Sequence, residues 1–341
     1  MELKLITKNM IQMKLYTTSF IHLAMMLWLP SDYMVQKLVE EDRLLELNYD
    51  RLTIDTDNFP KSGATIKDNE EKQQLADSLV KVMNESTVHP KENVEKDREE
   101  NGIYPSTGSI LDYAVPYFWG DLVVVVNPTP NNIQFLKEHN MELELDGEGK
   151  PTAQATSKGG VNLESPSDVD AAVPRIEELI KPKNVSLNGD DLITKVAEGL
   201  FDFALMYNGD AAYANMVYNH EDDDDDTNDG DTKFIYGRPA KENTNIFSDN
   251  MVIAKKNRNV ELSYAFVNFI TAHSAEISEY VGVASPIQSA MNELVAEGGT
   301  YEDYKDLYEP TNTGMGQAFT YNHEVDDYLV DKYNSIIAGK N

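Results

Sequence analysis

The chain of 341 residues contains no cysteine. This excludes disulfide bonds, metal sites with thiolate ligands, a cysteine nucleophile and a lipid-modified lipoprotein cysteine. Basic residues are also scarce, with 29 Lys and Arg against 59 Asp and Glu and a net charge of −30. Because phosphate backbones bind basic surfaces, we expect no nucleic-acid partner, and a cationic or neutral ligand is favoured.

Motifs that carry catalysis are absent as well. The sequence has no HExxH, no Walker loop, no GxGxxG and no GxSxG, and its six histidines are scattered. We therefore predict a protein that is not an enzyme and has no cofactor and no metal site. The acidic run Glu221 to Asp231 is interpreted as a solvated loop, because its match to a calcium-binding loop is weak.

The most apolar segment is Tyr16 to Pro30, which is shorter than the ~20 residues of a membrane-spanning helix. One interpretation of residues 1–29 is a signal-like anchor, although no small-x-small cleavage site follows Leu29. The alternative is translation in a shifted frame: the base triplets that straddle Met10–Ile11, Met13–Lys14 and Met25–Met26 encode Asp, Glu and Asp. On that hypothesis the chain carries an aberrant substitute for the first strands of a lobe.

From Ser31 onward the pattern is α/β, and the length favours two lobes. Val115 to Pro128 is a continuous apolar run that suits a buried strand, and strands are also predicted at Leu200 to Tyr207 and Asn245 to Lys256. A helix is predicted for Glu70 to Met83, and the stretch from Gly147 to Ser165 is predicted to be a loop.

Other helices are indicated by caps and periodicity. One begins after Ser31 and extends to about Leu44. Another begins at Ser165–Pro166, with a kink or a later start expected because Pro174 falls inside it. Glu261 to His273 is predicted to be a helix with a core-facing stripe. Further helices are predicted from Ser274 to Gly282 and from Tyr328 to Ile337. The stripe residues are Leu262, Ala265, Phe266, Phe269 and Ile270.

Aromatic and polar residues recur together at predicted strand ends. The pairs are Ser31/Tyr33, Tyr117/Trp119, Tyr207/Asp210 and Phe247/Asp249. A protonated polyamine needs carboxylates for its ammonium groups and aromatic walls for its methylenes and for cation–π contact. This set of side chains matches such a guest, although a core or capping role explains each residue taken singly.

Six stretches carry a resemblance to a known family. They are PSDYMVQKLVEEDRLLEL, YAVPYFWGDLVVVVN, VAEGLFDFALMYNGDAAYA, FSDNMVIAKKN, VGVASPIQSAMNEL and the final helix ending AGK. In this order they resemble the bacterial spermidine/putrescine-binding proteins, the extracytoplasmic receptors of polyamine ABC transporters. The resemblance implies a type II, two-lobed periplasmic-binding-protein fold with an incomplete first lobe. The implied division is 30–117 and 246–341 for one lobe and 118–245 for the other.

The resemblance also implies ligand-binding roles. Ser31 and Tyr33 match a Ser-x-Tyr that lines the cleft, and Asp249 matches a carboxylate that binds an amine. Tyr207 and Phe247 stand where the family has tryptophans, and Gln317 corresponds to a glutamine near the end. With Trp119 and Asp210 from the strand-end pairs, these residues form the predicted site.

The departures from the family pattern predict weak or absent polyamine binding. Val283 replaces a cleft tyrosine, and the Asp-x-x-Glu ligand helix expected between the Val123 strand and the Ser165 helix has no counterpart. The implied partners are spermidine or putrescine and a membrane permease, and the implied location is extracytoplasmic and membrane-associated. The alternatives are an acidic, cation-binding adhesive surface protein on the same fold and an inactive pseudogene product.

Overall fold

The structure is a computed structural model that describes residues 27–54, 73–90, 108–138, 143–145, 151–153, 162–163, 165–189, 191–221, 234–237, 244–308 and 316–340. Three predicted features fall wholly or mostly outside these residues: the apolar segment before Leu27, the acidic run after Glu221, and the loop that follows Gly147.

The described strands and helices alternate along the chain. The strands are β1 Leu27–Trp28, β2 Thr87–Val88, β3 Gly108–Ser109, β4 Ala114–Val126, β5 Leu143–Leu145, β6 Pro151–Ala153, β7 Phe203–Tyr207, β8 Ile235–Gly237, β9 Thr244–Ile253 and β10 Gly316–Gln317. The helices are α1 Asp32–Glu40, α2 Asp77–Glu85, α3 Pro130–Glu138, α4 Pro166–Ile180, α5 Asp191–Ala197, α6 Asn208–Glu221, α7 Val260–Ala272, α8 Ser274–Val281, α9 Gln288–Leu294, α10 Lys305–Tyr308 and α11 His323–Lys340.

The long strand β4 organises the main sheet, whose order is β1-β9-β4-β7, with β8 also paired to β4 and β10 to β9. Its first part, from Ala114 to Asp121, pairs antiparallel with β9. Its last part, from Leu122 to Val126, pairs antiparallel with β7. One strand therefore links two groups of strands. The division of the chain into residue ranges for each lobe stays a prediction.

Burial in the core explains why two of the three predicted strands, β4 and β9, form. Val123, Val125 and Val126 of β4 are buried, as are Met251 and Val252 of β9. β-Branched residues fit a sheet that is covered on its faces, and continuous apolar runs are typical of such strands. The strands predicted from these runs are thus confirmed at β4, β7 and β9.

Two predicted helix limits are wrong. The helix after Ser31 ends at Glu40, and Asp42 takes a positive φ of 58° that turns the chain, so Leu44 instead bridges Ala254 beside the end of β9. The helix predicted for Glu70 to Met83 is Asp77–Glu85. Both errors arise because periodicity identifies an apolar face but does not show where tertiary contacts end the helix.

α4 begins at Pro166 and continues through Pro174, so the expected later start is wrong. Ser165 caps it as predicted, accepting a hydrogen bond from the backbone N–H of Asp168. Packing against α11 helps to hold this helix. The Tyr328 hydroxyl donates to Asp170 at 2.8 Å, and the Lys332 ammonium lies 2.7 Å from the same carboxylate.

Most of the stripe predicted on α7 faces outward, and of its five residues only Ile270 packs against the core. The buried residues of this helix are Ser263, Tyr264, Val267 and Thr271, whereas Leu262, Phe266 and Phe269 are exposed. The predicted helix bounds are nearly right and the predicted face is wrong. The next helix, α8, ends at Gly282 as predicted, where a left-handed φ of 81° suits glycine.

A short hairpin of β5 and β6 falls partly within the stretch predicted to be a loop after Gly147. Within the described ranges, no helix is long and apolar enough to cross a membrane.

Candidate functional site

The start of α1 and the middle of β9 meet at Ser31 and Asp249. The two residues form an isolated antiparallel bridge, and the Ser31 hydroxyl donates to Asp249 Oδ1 at 2.8 Å. Ser31 stands at the N-cap position of α1, but its side chain makes no capping hydrogen bond. Burial raises the pKa of Asp249, and the hydrogen bond from Ser31 opposes this rise.

An aromatic pair lies beside this carboxylate. Tyr207, at the end of β7, packs on Phe247 of β9 with ring centroids 4.5 Å apart and planes inclined by 53°. Phe247 and Asp249 are two residues apart on one strand, so their side chains share a face. Burial raises the pKa of Tyr207, and the negative charges of Asp249 and Asp210 raise it further. The Tyr207 hydroxyl thus lies within electrostatic reach of two carboxylates.

Tyr33 brings a third ring to the site from the first turn of α1. It meets Phe319 edge-to-face, with centroids 6.4 Å apart, and it remains partly exposed. Burial is the largest cause that raises its pKa, followed by the charges of Asp326 and Asp32. The Phe319 carbonyl is held by the Gln36 side-chain amide at 2.9 Å. Sequence reasoning did not single out Phe319, because it lies in an irregular segment between β10 and α11.

Asp32 is a buried carboxylate that sequence reasoning did not include in the predicted site. It is 1% exposed, and its Oδ1 accepts the backbone N–H of Tyr33 at 2.8 Å. Its Oδ2 has no hydrogen-bond partner among the described residues. Burial raises the pKa of Asp32 to about 7, and the charge of Asp249 adds to the rise. The sequence signal for Asp32 was only its position between Ser31 and Tyr33.

Neither carboxylate has a basic partner. Among the described residues, no Lys or Arg forms an ion pair with Asp32 or Asp249, and nearby Lys37 instead pairs with Asp326 at 2.9 Å. Two buried carboxylates near one another disfavour the doubly ionised state. A bound cation would relieve this repulsion, so the site favours a positively charged ligand.

The register of β4 against β9 separates Trp119 from this cluster. Trp119 pairs with Ser248, whose side chain points to the opposite face from Phe247 and Asp249. The indole is 4% exposed and donates to the Ser285 carbonyl at 2.9 Å. Trp119 thus occupies the core, and its predicted ligand contact stays a prediction.

Tyr117, two residues before Trp119 on β4, lies within electrostatic reach of Asp249. A register shift between Pro116 and Phe118 leaves Tyr117 at a bulge, and its ring lies 4.4 Å from that of Phe118. Burial raises the pKa of Tyr117, and the charge of Asp249 contributes to the rise. Bulges commonly redirect a side chain at a functional site.

The two remaining predicted residues lie at the margin. Asp210 is half-buried in the first turn of α6, and its charge raises the pKa of Tyr207. Gln317 is exposed on β10, opposite Asn245 of β9. The structure therefore brings Ser31, Tyr33, Tyr207, Phe247 and Asp249 together, with Asp210 next to Tyr207 and Gln317 at the strand edge.

Asn208 and Gly120 support the aromatic pair. The Asn208 side-chain oxygen accepts the Asp121 N–H at 3.1 Å, and its amide donates to the Leu307 carbonyl at 3.0 Å. A Cβ at Gly120 would lie 2.2 Å from Asn208 Oδ1 and 3.0 Å from the Phe247 ring. Only glycine therefore allows β4 to pass beneath Phe247 while Asn208 holds the turn after β7.

One cavity lies beside this cluster and not within it. It has a volume of about 310 Å³ and is lined by residues of α1, of the segment 320–324 and by His89. Among the described residues, no group of three or more His, Asp and Glu side chains is arranged to hold a metal ion. We place the candidate site at the cluster, because the aromatic rings and buried carboxylates converge there.

Comparison with protein families and with curated proteins finds no match. Solved structures do match over nearly the whole chain. The spermidine/putrescine ABC transporter substrate-binding protein of Streptococcus pneumoniae aligns at 16% identity and a TM-score of 0.54, covering 98% of this chain and 89% of that one. A putative spermidine/putrescine ABC transporter protein of Listeria monocytogenes aligns at 17% identity and a TM-score of 0.55, covering 97% and 88%.

A lipoprotein of Treponema pallidum aligns at 15% identity and a TM-score of 0.54, covering 95% of this chain and 88% of that one. At these identities the likeness concerns the fold. The predicted fold class is confirmed: the chain has the two-lobed, type II fold of periplasmic binding proteins.

Proposed function

We propose that this chain is the extracytoplasmic substrate-binding component of a polyamine ABC transporter, and that it delivers spermidine or putrescine to a membrane permease. The observation that supports this is the convergence of Tyr207, Phe247 and Tyr33 with the buried carboxylate of Asp249. These side chains come from α1, β7 and β9, which lie far apart in the sequence. Two of the proteins with a similar fold named above are spermidine/putrescine ABC transporter proteins.

The mechanism is binding without chemistry. One ammonium group of the ligand is received by Asp249, which Ser31 orients through its hydrogen bond. The methylenes lie against the rings of Tyr207 and Phe247. Each cation–π contact between an ammonium group and a ring face contributes about 0.5–2 kcal/mol. Asp210, whose charge acts on Tyr207, is the proposed partner of a second ammonium. Closure of the lobes over the ligand then presents the shape that the permease recognises.

The departures from the family pattern set the expected affinity. Tyr207 and Phe247 offer smaller ring faces than the tryptophans that the resemblance implies, and Val283 offers no hydroxyl. We therefore expect saturable binding with a dissociation constant above about 1 μM, equivalent to less than about 8 kcal/mol.

The test is calorimetric titration of the full chain with spermidine, putrescine and a monoamine of equal length. Asp249→Asn should abolish saturable binding, because it removes the charge that pairs with the ammonium group. Asp303→Asn, at an exposed position outside the cluster, is the matched control and should leave binding unchanged. Sub-micromolar binding would contradict the predicted weak affinity, and an Asp249→Asn variant that binds normally would refute the proposed site.

Thermal melting of the full chain with polyamines and with calcium separates the rival function. An acidic adhesive protein that uses divalent cations would be stabilised against heat by calcium and not by polyamines. A rise in melting temperature with calcium alone would favour that function over the receptor.

A further inference from the structure

Helix α7 presents an apolar stripe to solvent. Leu262, Phe266 and Phe269 are 55%, 44% and 57% exposed, and their spacing of four and three residues places them on one face. His273 extends this line, with its ring 4.4 Å from that of Phe269. We call Leu262, Phe266 and Phe269 the α7 stripe. Contiguous apolar surface of this kind marks an interaction site in soluble proteins.

The inward face of α7 is fixed by specific hydrogen bonds, so a rotation that buries the stripe is excluded. The Tyr264 hydroxyl accepts the Asn48 N–H at 2.8 Å, and the Ser263 hydroxyl accepts the Asn257 side-chain amide at 2.7 Å. On the flank, the Asn268 side chain bonds to the Arg51 carbonyl at 2.9 Å. Turning the helix would break these contacts and would place apolar rings where polar groups are satisfied.

Positive charge accompanies the stripe in a chain that is strongly negative. The turn between β9 and α7 carries exposed Lys255, Lys256 and Arg258. From Met251 to Glu276, whose carboxylate contacts His273, the charges are three basic and two acidic, so 3 − 2 = +1, against −30 for the whole chain. Lys255 also pairs with Asp42, so Lys256 and Arg258 are the main contributors to the local field.

We propose that the α7 stripe and the basic turn form a docking surface for a bilayer that carries anionic lipid. The helix of 13 residues is about 20 Å long and lies flat at the interface, with its rings among the acyl chains and its basic turn on the headgroups. Charge complementarity favours this occupant. A second copy that docks through the same face would set its own basic turn against the first, whereas an anionic bilayer attracts the basic turn and offers depth for the stripe.

This proposal does not depend on polyamine binding. It would hold the chain at a membrane without a lipid on cysteine, which the sequence lacks. The remaining negative charge of the chain opposes approach, but its effect is screened beyond about 8 Å at physiological salt. The local surface therefore decides the orientation in which the protein meets the bilayer.

The experiment is co-sedimentation of the full chain with vesicles. One set is pure phosphatidylcholine and the other contains phosphatidylglycerol at about a third of the lipid. We expect binding to the anionic vesicles that weakens at high salt. The double variant Phe266→Gln/Phe269→Gln should reduce it at least about ten-fold through lost apolar burial. Lys256→Gln/Arg258→Gln should reduce it about 25-fold, since each basic residue contributes roughly five-fold.

The matched control is Leu329→Gln/Tyr333→Gln, which removes two exposed apolar side chains that lie four residues apart on α11. It should leave vesicle binding unchanged. The proposal is overturned if wild type ignores anionic vesicles or if the control pair weakens binding equally. It is also overturned if the stripe variants abolish self-association, detected by sedimentation velocity, and not lipid binding. Unchanged polyamine titrations in the stripe variants keep this result separate from the proposed function.

Discussion

Replacement of Asp32 by Asn should stabilise the folded chain above neutral pH. Asp32 is buried, its pKa is raised to about 7, and one of its oxygens has no hydrogen-bond partner among the described residues. Asn retains a side-chain oxygen that can accept the Tyr33 N–H. It removes the charge whose desolvation and repulsion by Asp249 raise the pKa.

The magnitude follows from linkage between protonation and folding. The folded pKa of about 7 exceeds the unfolded value of 3.8 by about 3 pH units, which corresponds to about 4 kcal/mol. For an acid with a raised pKa, stability is present below the unfolded pKa and is lost as pH rises toward the folded pKa. The penalty is therefore complete above about pH 7. A buried amide that lacks partners costs about 1–3 kcal/mol, so the net gain for Asp32→Asn is about 1–3 kcal/mol at pH 8.

The assay is urea unfolding followed by circular dichroism at pH 5, 6, 7 and 8. The free energy of unfolding of Asp32→Asn should exceed that of wild type by an amount that increases as pH rises. Asp303→Asn, an exposed carboxylate in a short helical turn, provides the comparison and should show no such trend. If the difference is constant from pH 5 to 8, or if the variant is less stable at pH 8, the inference that Asp32 carries a destabilising buried charge is wrong.

Three further predictions concern the same region. Polyamine affinity should rise about ten-fold from pH 6 to pH 8, because a bound cation lowers the pKa of Asp32 from about 7. Calorimetry in buffers of different ionisation enthalpy should detect the proton that is released on binding, and Asp32→Asn should abolish this release. Gly120→Ala should lower the free energy of unfolding by roughly 2 kcal/mol or more, the cost of overpacking, because its Cβ would collide with Asn208. It should also weaken ligand binding. Thermal melts will check the first effect and ligand titrations the second. Trp119→Phe should cost about 1–3 kcal/mol in urea unfolding by leaving the Ser285 carbonyl unpaired, with spermidine affinity unchanged; a selective loss of affinity would return Trp119 to the binding site.

Local chemistry in the chain was enough to predict several elements. The valine run of β4 has the β-branched character of a buried strand, and Gly282 supplies the left-handed conformation that ends α8. The acidic and aromatic residues at strand ends indicated a cationic guest. The strand and the helix end are confirmed because strand character and helix termination depend mainly on neighbouring residues, whereas the cationic guest stays a prediction.

The composition of the site was partly predictable for a different reason. Tyr207, Phe247 and Asp249 come from separate strands, and only their order along the chain suggested that they meet. The structure adds Asp32 and Phe319, whose importance depends on burial and on an irregular segment. Burial depends on contacts with distant segments, which composition does not report.

Two outcomes required the tertiary arrangement. Trp119 belongs to the core because its register against β9 places it on the face of Ser248. The α7 stripe points outward because hydrogen bonds to residues 48 and 257 hold the opposite face inward. A period of 3.6 residues identifies an apolar face but not its direction, and a period of two does not fix which face of a strand meets the core. Register and helix rotation are set by long-range pairing, so they emerge only when distant segments are brought together.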